Sequence, residues 1–336
     1  MKILSICIPT YNRCNYLLDL LHNLNQNLDS NQRENIEICI SDNFSSDDTV
    51  VSVQKFIETH DIDVILNVNS QNYGPDYNYI EVIKLATGKY CWYISSDDLV
   101  VQDINIYINK IFESNFDVLL FDRYLCDKDM HIVSTQSWFS FKSDEKLLFN
   151  SDNEIIKYFD SCLSLGGVFS FISCVVFKRE KWVKFPFIND IIGTNYSHVY
   201  FLLIILLDYP SKLYYIKKPL ILCRGNNDSF SNNNEFDRFY LDVTGYLKIS
   251  DLLLNNLTDE KRLHLLKIIT REHNYLKLLK YICIKNIGFK NKNYIKDIIS
   301  VGYNKRFVYF CLLLCNIRFI IILLIKLKRY LNFSCR

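Results

Sequence analysis

No surplus of either charge marks this chain of 336 residues: 39 Lys and Arg face 37 Asp and Glu, for a formal net charge of +2. That balance argues against nucleic acid as a partner, because nucleic-acid-binding domains concentrate basic charge. Twelve cysteines are present, yet none forms a CxxC pair, so neither a disulfide nor a zinc framework is expected. Cys7, Cys39 and Cys91 sit in apolar runs where a thiol packs as a small hydrophobe, which points to a reducing compartment. A secretory leader is not expected either, since Pro9 ends the first apolar run after about seven residues, too short for a signal-peptide core. Internal repeats and Gly/Ser linkers are missing. What is there is apolar: hydrophobic residues make up 49% and aromatics 15%, which excludes a disordered chain. The length suits about two domains, or one α/β domain with an appendage.

Apolar runs at 3–8, 36–40, 64–68 and 90–94 predict strands. Between them, helical spacing appears over 16–24 (Tyr16, Leu17, Leu20, Leu21, Leu24), 50–57 and 76–86, the last closed by Gly88. Asp47 and Asp48, after two serines, read as the cap of the second of these helices. This alternation implies parallel strands joined by crossover helices. Further strands are predicted at 117–122, 169–178 and 214–223, with a short apolar helix at 202–207. Residues 163–167, ending in Gly166-Gly167, read as a flexible bend suited to a substrate's close approach. Residues 224–229 read as a polar loop and 231–234 as an Asn-rich one. Beyond 236 the pattern is helical and basic.

The densest chemistry is Asp97-Asp98, at the end of the 90–94 strand. Two adjacent carboxylates there are costly unless something cationic or hydrogen-bonding meets them. A divalent cation carrying a diphosphate would do so, because hard cations prefer oxygen ligands and ligands bind at the carboxyl ends of strands in open α/β sheets. A helix N-cap explains the same residues, with the next helix beginning near Asp103. Elsewhere, Asp122-Arg123 reads as a buried ion pair or a sugar-contacting site. Trp92 and Trp138 read as core aromatics or sugar platforms.

Three polar sites follow strands of the first half: Pro9-Thr10-Tyr11-Asn12-Arg13, Ser41-Asp42-Asn43 and Ser95-Ser96-Asp97-Asp98. With Asn72, Gly74 and Ala86-Thr87-Gly88, their order and spacing resemble the GT-A fold glycosyltransferases of family 2 over about residues 3–100. The resemblance implies a Rossmann-like mixed α/β sheet flanked by helices, with a C-terminal helical extension. Residues 1–235 would form the catalytic domain (1–100 the nucleotide-binding half, 101–235 the acceptor half) and 236–336 the helical region. It places Pro9, Thr10, Tyr11, Arg13, Asp42, Asn72 and Asp97 at the nucleotide sugar. Thr10 and Tyr11 would pack around the base, and Asp42 would hydrogen-bond to it. Asp97 and Asp98 would hold Mg2+ or Mn2+.

Phe121-Asp122-Arg123, residues 163–170 and 192–199, and Lys218-Pro219-Leu220 through Phe230 are further similar to the abequosyltransferases of bacterial O-antigen assembly. That likeness implies a CDP-3,6-dideoxyhexose donor and an undecaprenyl-diphosphate-linked oligosaccharide acceptor ending in mannose. It also implies a cytoplasmic enzyme peripheral to the inner membrane. Arg224 is a candidate for bidentate contact with the phosphates, or an ordinary surface arginine. The family's usual Glu-Asp pair on the acceptor side is missing, which leaves inverting and retaining outcomes both open. Asp190 and His198 are the local candidates for a base. Residues 307–329 read as an interfacial membrane helix or as a core helix. A family 2 transferase using UDP- or dTDP-sugars and a non-catalytic nucleotide-sugar-binding subunit are the competing functions.

Overall fold

The computed structural model describes residues 2–225, 235–285, 287, 289 and 291–314. Its first half follows the predicted alternation: β1 (Leu4–Thr10), α1 (Cys14–Asn27), α2 (Ser30–Asn35), β2 (Ile36–Asp42), α3 (Thr49–Thr59), β3 (Val64–Val68), α4 (Pro75–Leu85) and β4 (Tyr90–Tyr93). β1 pairs in parallel with β2 and β4, and β2 with β3. β1 and β2 are covered on both faces, so even their polar residues Ser5, Glu37 and Ser41 are buried. Leu17, Leu20, Leu21 and Leu24 form the buried stripe of α1. Gly74 takes φ +84° and hands the chain to Pro75, whose fixed φ suits the first turn of α4.

The second half continues with β5 (Leu99–Val100), α5 (Ile104–Glu113), β6 (Val118–Cys126), β7 (Ile132–Gln136), β8 (Glu145–Phe149), α6 (Asp152–Ser161), β9 (Val175–Lys178), α7 (Arg179–Val183), α8 (Ser197–Leu207) and β10 (Ser211–Cys223). Together these strands make a ten-stranded mixed sheet in the order β3-β2-β1-β4-β9-β6-β10-β5, with β7 beside β6 and β8 beside β10. β9 runs antiparallel between β4 and β6, whereas β10 runs parallel to β6.

Only the last four residues of the strand predicted at 169–178 join the sheet. Phe169 adopts φ +70°, and 3-10 turns occupy Leu165–Val168 and Ile172–Cys174, so the ladder cannot start earlier. The apolar helix is longer than its 202–207 core because every residue of α8 is buried, which leaves no polar face to mark its start. β7, β8 and α6 were not anticipated. β7 is mostly exposed and carries no apolar alternation, although a Ser151/Glu154 capping box does announce α6.

The helical region comprises α9 (Glu235–Leu252), α10 (Asp259–Glu272), α11 (Tyr275–Lys285), α12 (Lys292–Ser300) and helical residues 305–314. One continuous buried core runs through the sheet and these helices, across the expected boundary at 235. Polar contacts reinforce it: Lys261 Nζ lies 2.8 Å from Asp152, Tyr246 donates to the Val168 carbonyl at 3.0 Å, and an Arg271 amine donates to the Cys162 carbonyl at 2.9 Å. Of the 307–329 segment, the described turns bury Val308, Cys311 and Leu312. Residues 315–329 lie outside the described residues, as do 226–234 with most of the predicted polar loops. Among the described residues no helix is long and apolar enough to cross a membrane.

The glycines at 166–167 serve packing. A Cβ on Gly166 would lie 2.1 Å from Trp138 Cε3, so the Leu165–Val168 turn closes only over glycine. Gly166→Ala is therefore expected to destabilise the fold by about 1–3 kcal/mol in urea unfolding. Unchanged stability would show that Trp138 has room to move.

Candidate active site

The carboxyl ends of β1, β2 and β4 open into a cavity of about 360 Å³ lined by Pro9, Thr10, Tyr11, Arg13, Asn72 and Asp97. These are six of the residues the sequence assigned to a nucleotide sugar. Asn43, from the Ser41-Asp42-Asn43 site, lines the same space, as do Asn78 and Tyr79, which the sequence did not single out. The turn after β1 is set by Asn12 at φ +51°, whose Oδ1 accepts from Ser46 N and whose N–H donates to Ser45 Oγ, both at 2.8 Å. Asn43 donates to Asn72 Oδ1 at 2.8 Å and accepts from Asn69 and Tyr73 N at 3.1 Å. Asn78 ties the ends of β1 and β2 together through the Thr10 and Ser41 carbonyls. In this wall Thr10 Oγ1 is buried with no hydrogen-bond partner among the described residues, a polar atom available to a ligand.

Asp42 is placed differently from expectation. It is fully buried behind the cavity, accepting from Ser45 N at 2.8 Å and Ser45 Oγ at 2.5 Å. It shapes the turn after β2, and its neighbour Asn43 lines the cavity instead.

Asp97 and Asp98 lie between β4 and β5, and the N-cap of α5 is Asp103, so the helix-cap explanation of the pair falls away. Ser95 Oγ donates to Asp97, and the Arg13 guanidinium lies 3.3 Å from the other Asp97 oxygen. Asp98 is buried, accepting from Ser173 Oγ at 2.5 Å and from the Arg224 N–H at 3.3 Å. Burial, and then the charge of Asp97, push Asp98 up to about 7, while Ser173, Arg123 and the Arg224 amide offset only part of the shift. Burial and mutual repulsion thus make the ionised form of Asp98 costly, a cost that a cation beside the pair would relieve, and the all-oxygen donors of the pair match a hard divalent cation. Among the described residues no group of three His, Cys, Asp or Glu side chains is disposed as a complete metal site, so phosphate oxygens and water would have to complete the shell.

A second cavity of about 470 Å³ adjoins the first and shares Tyr79, Ser95, Asp97 and Ile172 with it. Asp98, Arg123, Trp138 and Arg224 line it from the sheet side. Arg224 is fully engaged: Nε donates to the Asp97 carbonyl and one amine to the Lys128 carbonyl, each at 3.2 Å. Its other amine lies 3.2 Å from Asp19. It braces the acid pair, and a phosphate reaching it would have to displace the exposed Asp19.

Alternation along β6 separates Asp122 from Arg123. Asp122 is buried and accepts from Ser137 Oγ and Tyr215 OH at 2.5 and 2.6 Å. Arg123 instead donates to Gln136 at 2.9 Å and lies 3.9 Å over the Phe171 ring, so the pair is not an ion pair. Trp92 is a core residue donating to the Ser173 carbonyl at 2.9 Å, whereas Trp138 reaches the second cavity. Asp47 caps with Thr49 as expected and also accepts from Cys14 N at 3.2 Å, joining the starts of α1 and α3.

The two candidate bases lie elsewhere. Asp190 is exposed on a 3-10 turn and lines neither cavity. His198 is buried at the start of α8 against Tyr79, 4.8 Å between ring centroids. Burial pushes it down to about 3, with only partial relief from the Phe169 backbone, so it is neutral near pH 7. The segment around it is organised by Asp76, a residue the sequence did not flag, which accepts from the N–H groups of Gly193, Asn195 and Ser197 at 2.8–2.9 Å.

Residues 5–177 match the family model described as Glycosyl transferase family 2. Over 320 residues the chain is 34% identical to the abequosyltransferase RfbV of Salmonella typhimurium, covering 89% of this chain and 93% of that protein. Over 263 residues it is 27% identical to the GalNAc(5)-diNAcBac-PP-undecaprenol beta-1,3-glucosyltransferase of Campylobacter jejuni, covering 78% and 77%. Among solved structures, S. aureus TarS 1-349 in complex with UDP-GlcNAc superposes with a TM-score of 0.61 at 18% identity, covering 89% of this chain and 79% of that one. The mannosyltransferase PcManGT from Pyrobaculum calidifontis, in complex with GDP-Man and Mn2+, gives 0.53 at 13% identity, covering 94% and 86%. The likenesses to solved structures establish the GT-A fold.

A neutral, buried His198 has a signature in stability. Its value is about 3 folded against about 6.5 as a model group, so the unfolded chain binds more protons between those limits. Stability therefore falls as pH drops through that window. Relative to a His198→Phe variant, the wild-type melting temperature should decline from about pH 7 to about pH 4. A pH-independent difference would contradict the buried neutral imidazole.

Proposed function

The chain belongs to glycosyl transferase family 2, and from that premise we propose that it transfers a 3,6-dideoxyhexose from a CDP-sugar to a lipid-linked O-antigen oligosaccharide. The observation that carries donor-to-acceptor transfer is the meeting of two cavities at Asp97. The choice of sugar and acceptor is supported by the similarity to the Salmonella abequosyltransferase over most of both chains. A lipid-linked acceptor puts the enzyme at the cytoplasmic face of the inner membrane, and exposed Tyr309, Phe310 and Leu313 offer an apolar contact there.

In this reading the nucleoside lies in the first cavity, its base between Pro9, Thr10, Tyr11 and the Asn43 network, with Thr10 Oγ1 gaining its missing partner. The diphosphate reaches Asp97, where Arg13 adds positive charge. Asp97 and Asp98 would hold a divalent cation, which when bound would act as a Lewis acid toward the departing diphosphate. Ser95, Ser173 and Arg224 keep the carboxylates in place through the hydrogen bonds described above. Two adjacent carboxylates, one of them buried, in contact with the second cavity speak against a non-catalytic binding subunit, where such a costly pair would only destabilise.

Incubation with labelled CDP-abequose, its epimers and a mannose-bearing lipid-linked acceptor should give transfer. UDP- and dTDP-sugars should give little. Asp97→Asn should lower kcat/KM by at least about 100-fold, the scale of losing one charge-stabilising group. Transfer from UDP-sugars with none from CDP-sugars would refute the donor assignment. Full activity in Asp97→Asn would refute the site.

A further inference from the structure

The second cavity has a wall that the first half of the chain does not supply. Arg238 and Asp242 of α9, Glu272 at the end of α10 and His273 just beyond it face Asp97, Arg123 and Trp138 across the same space. Its volume, about 470 Å³, is within the usual ~300–1,000 Å³ range of small-ligand sites. Arg123, stacked over Phe171 and against Trp138, presents its guanidinium edge to this space, a donor suited to the hydroxyl groups of a sugar ring.

Most polar groups on the helical wall are consumed by one another. Asp242 accepts from Tyr196 OH and lies 2.9 Å from His273 Nε2 and 3.5 Å from Arg238. His273 Nδ1 lies 3.3 Å from Tyr281 OH, so neither ring nitrogen is available to a substrate. Asp242 and His273 therefore lock α9 to α10. Glu272 differs. Its Oε2 accepts from the Leu165 N–H at 3.1 Å, which fixes the carboxylate's direction, and its Oε1 accepts from none of the described residues.

Resting on the transferase reading, we propose that this cavity takes the acceptor's terminal sugar and that Glu272 is the base for its attacking hydroxyl. The hydroxyl proton passes to Glu272 as the acceptor oxygen bonds to the donor's anomeric carbon. The bond from that carbon to the diphosphate breaks, and its electron pair leaves with the nucleoside diphosphate. A base supplied by α10 replaces the Glu-Asp pair that the chain lacks near 190, where Asp190 and His198 both lie outside the cavities. The C-terminal helices are then part of the active site.

The test uses the full chain with CDP-abequose and a mannose-bearing lipid-linked acceptor, or whichever donor the screen identifies. Glu272→Gln keeps an oxygen for the Leu165 N–H but cannot take a proton. It should lower kcat by about 100- to 10,000-fold, leaving melting temperature, donor affinity by calorimetry and acceptor KM near wild type. Formate should restore part of the activity of Glu272→Ala. An active wild type with Glu272→Gln within about threefold in kcat, or impaired only in acceptor KM, overturns the base assignment alone. A wild type that transfers no sugar from any nucleotide donor overturns the transferase reading and this proposal with it.

Discussion

A carboxylate held inside a protein at the end of a strand must be met by hydrogen bonds and positive charge, or it will not stay ionised. Asp98 imposes that demand here, and distant parts of the chain answer it. Ser173 comes from the turn before β9 and the Arg224 amide from the end of β10. Arg13, from the loop after β1, meets the neighbouring Asp97. The acid pair thus gathers three regions around one point. Removing it would release constraints on the β1, β9 and β10 ends together.

Asp97 belongs to both cavities, so the two spaces meet at one carboxylate. The first cavity is walled by a network of asparagines that bond one another and the strand ends. The second is walled by charged and aromatic side chains drawn from the sheet and from α9 and α10. The helical region, whose sequence reads only as helical and basic, is welded to the catalytic half through a shared core and the Asp242–His273 lock.

Legibility in the sequence followed the physics of each element. Strands β1 to β4 and their helices are plain because each has a clear period or a fully buried apolar run. The second half is harder to read: α8 is apolar all round, β7 is polar and exposed, and the 165–174 turns look strand-like until Phe169 turns left-handed. At the site, it is the family resemblance of their motifs that groups Pro9 to Arg13, Asn72 and Asp97, and the structure brings these residues to one cavity. Asn43 lies inside one of these motifs but carried no role there, and Asn78 and Asp76 were not found, since a polar residue that bonds backbone groups far away leaves no local pattern. Glu272 lies 175 residues beyond Asp97 in sequence, and only tertiary packing shows that they share a cavity.

The most direct measurement is a crystal structure of the protein with CDP and Mn2+. The account predicts the cytosine between Tyr11 and Asn43, the diphosphate beside Asp97 and Arg13, and the cation in contact with the acid pair. It also predicts that the second cavity stays open to Glu272. A diphosphate bound away from Asp97, or a nucleotide filling the cavity between Trp138 and Glu272, would contradict it.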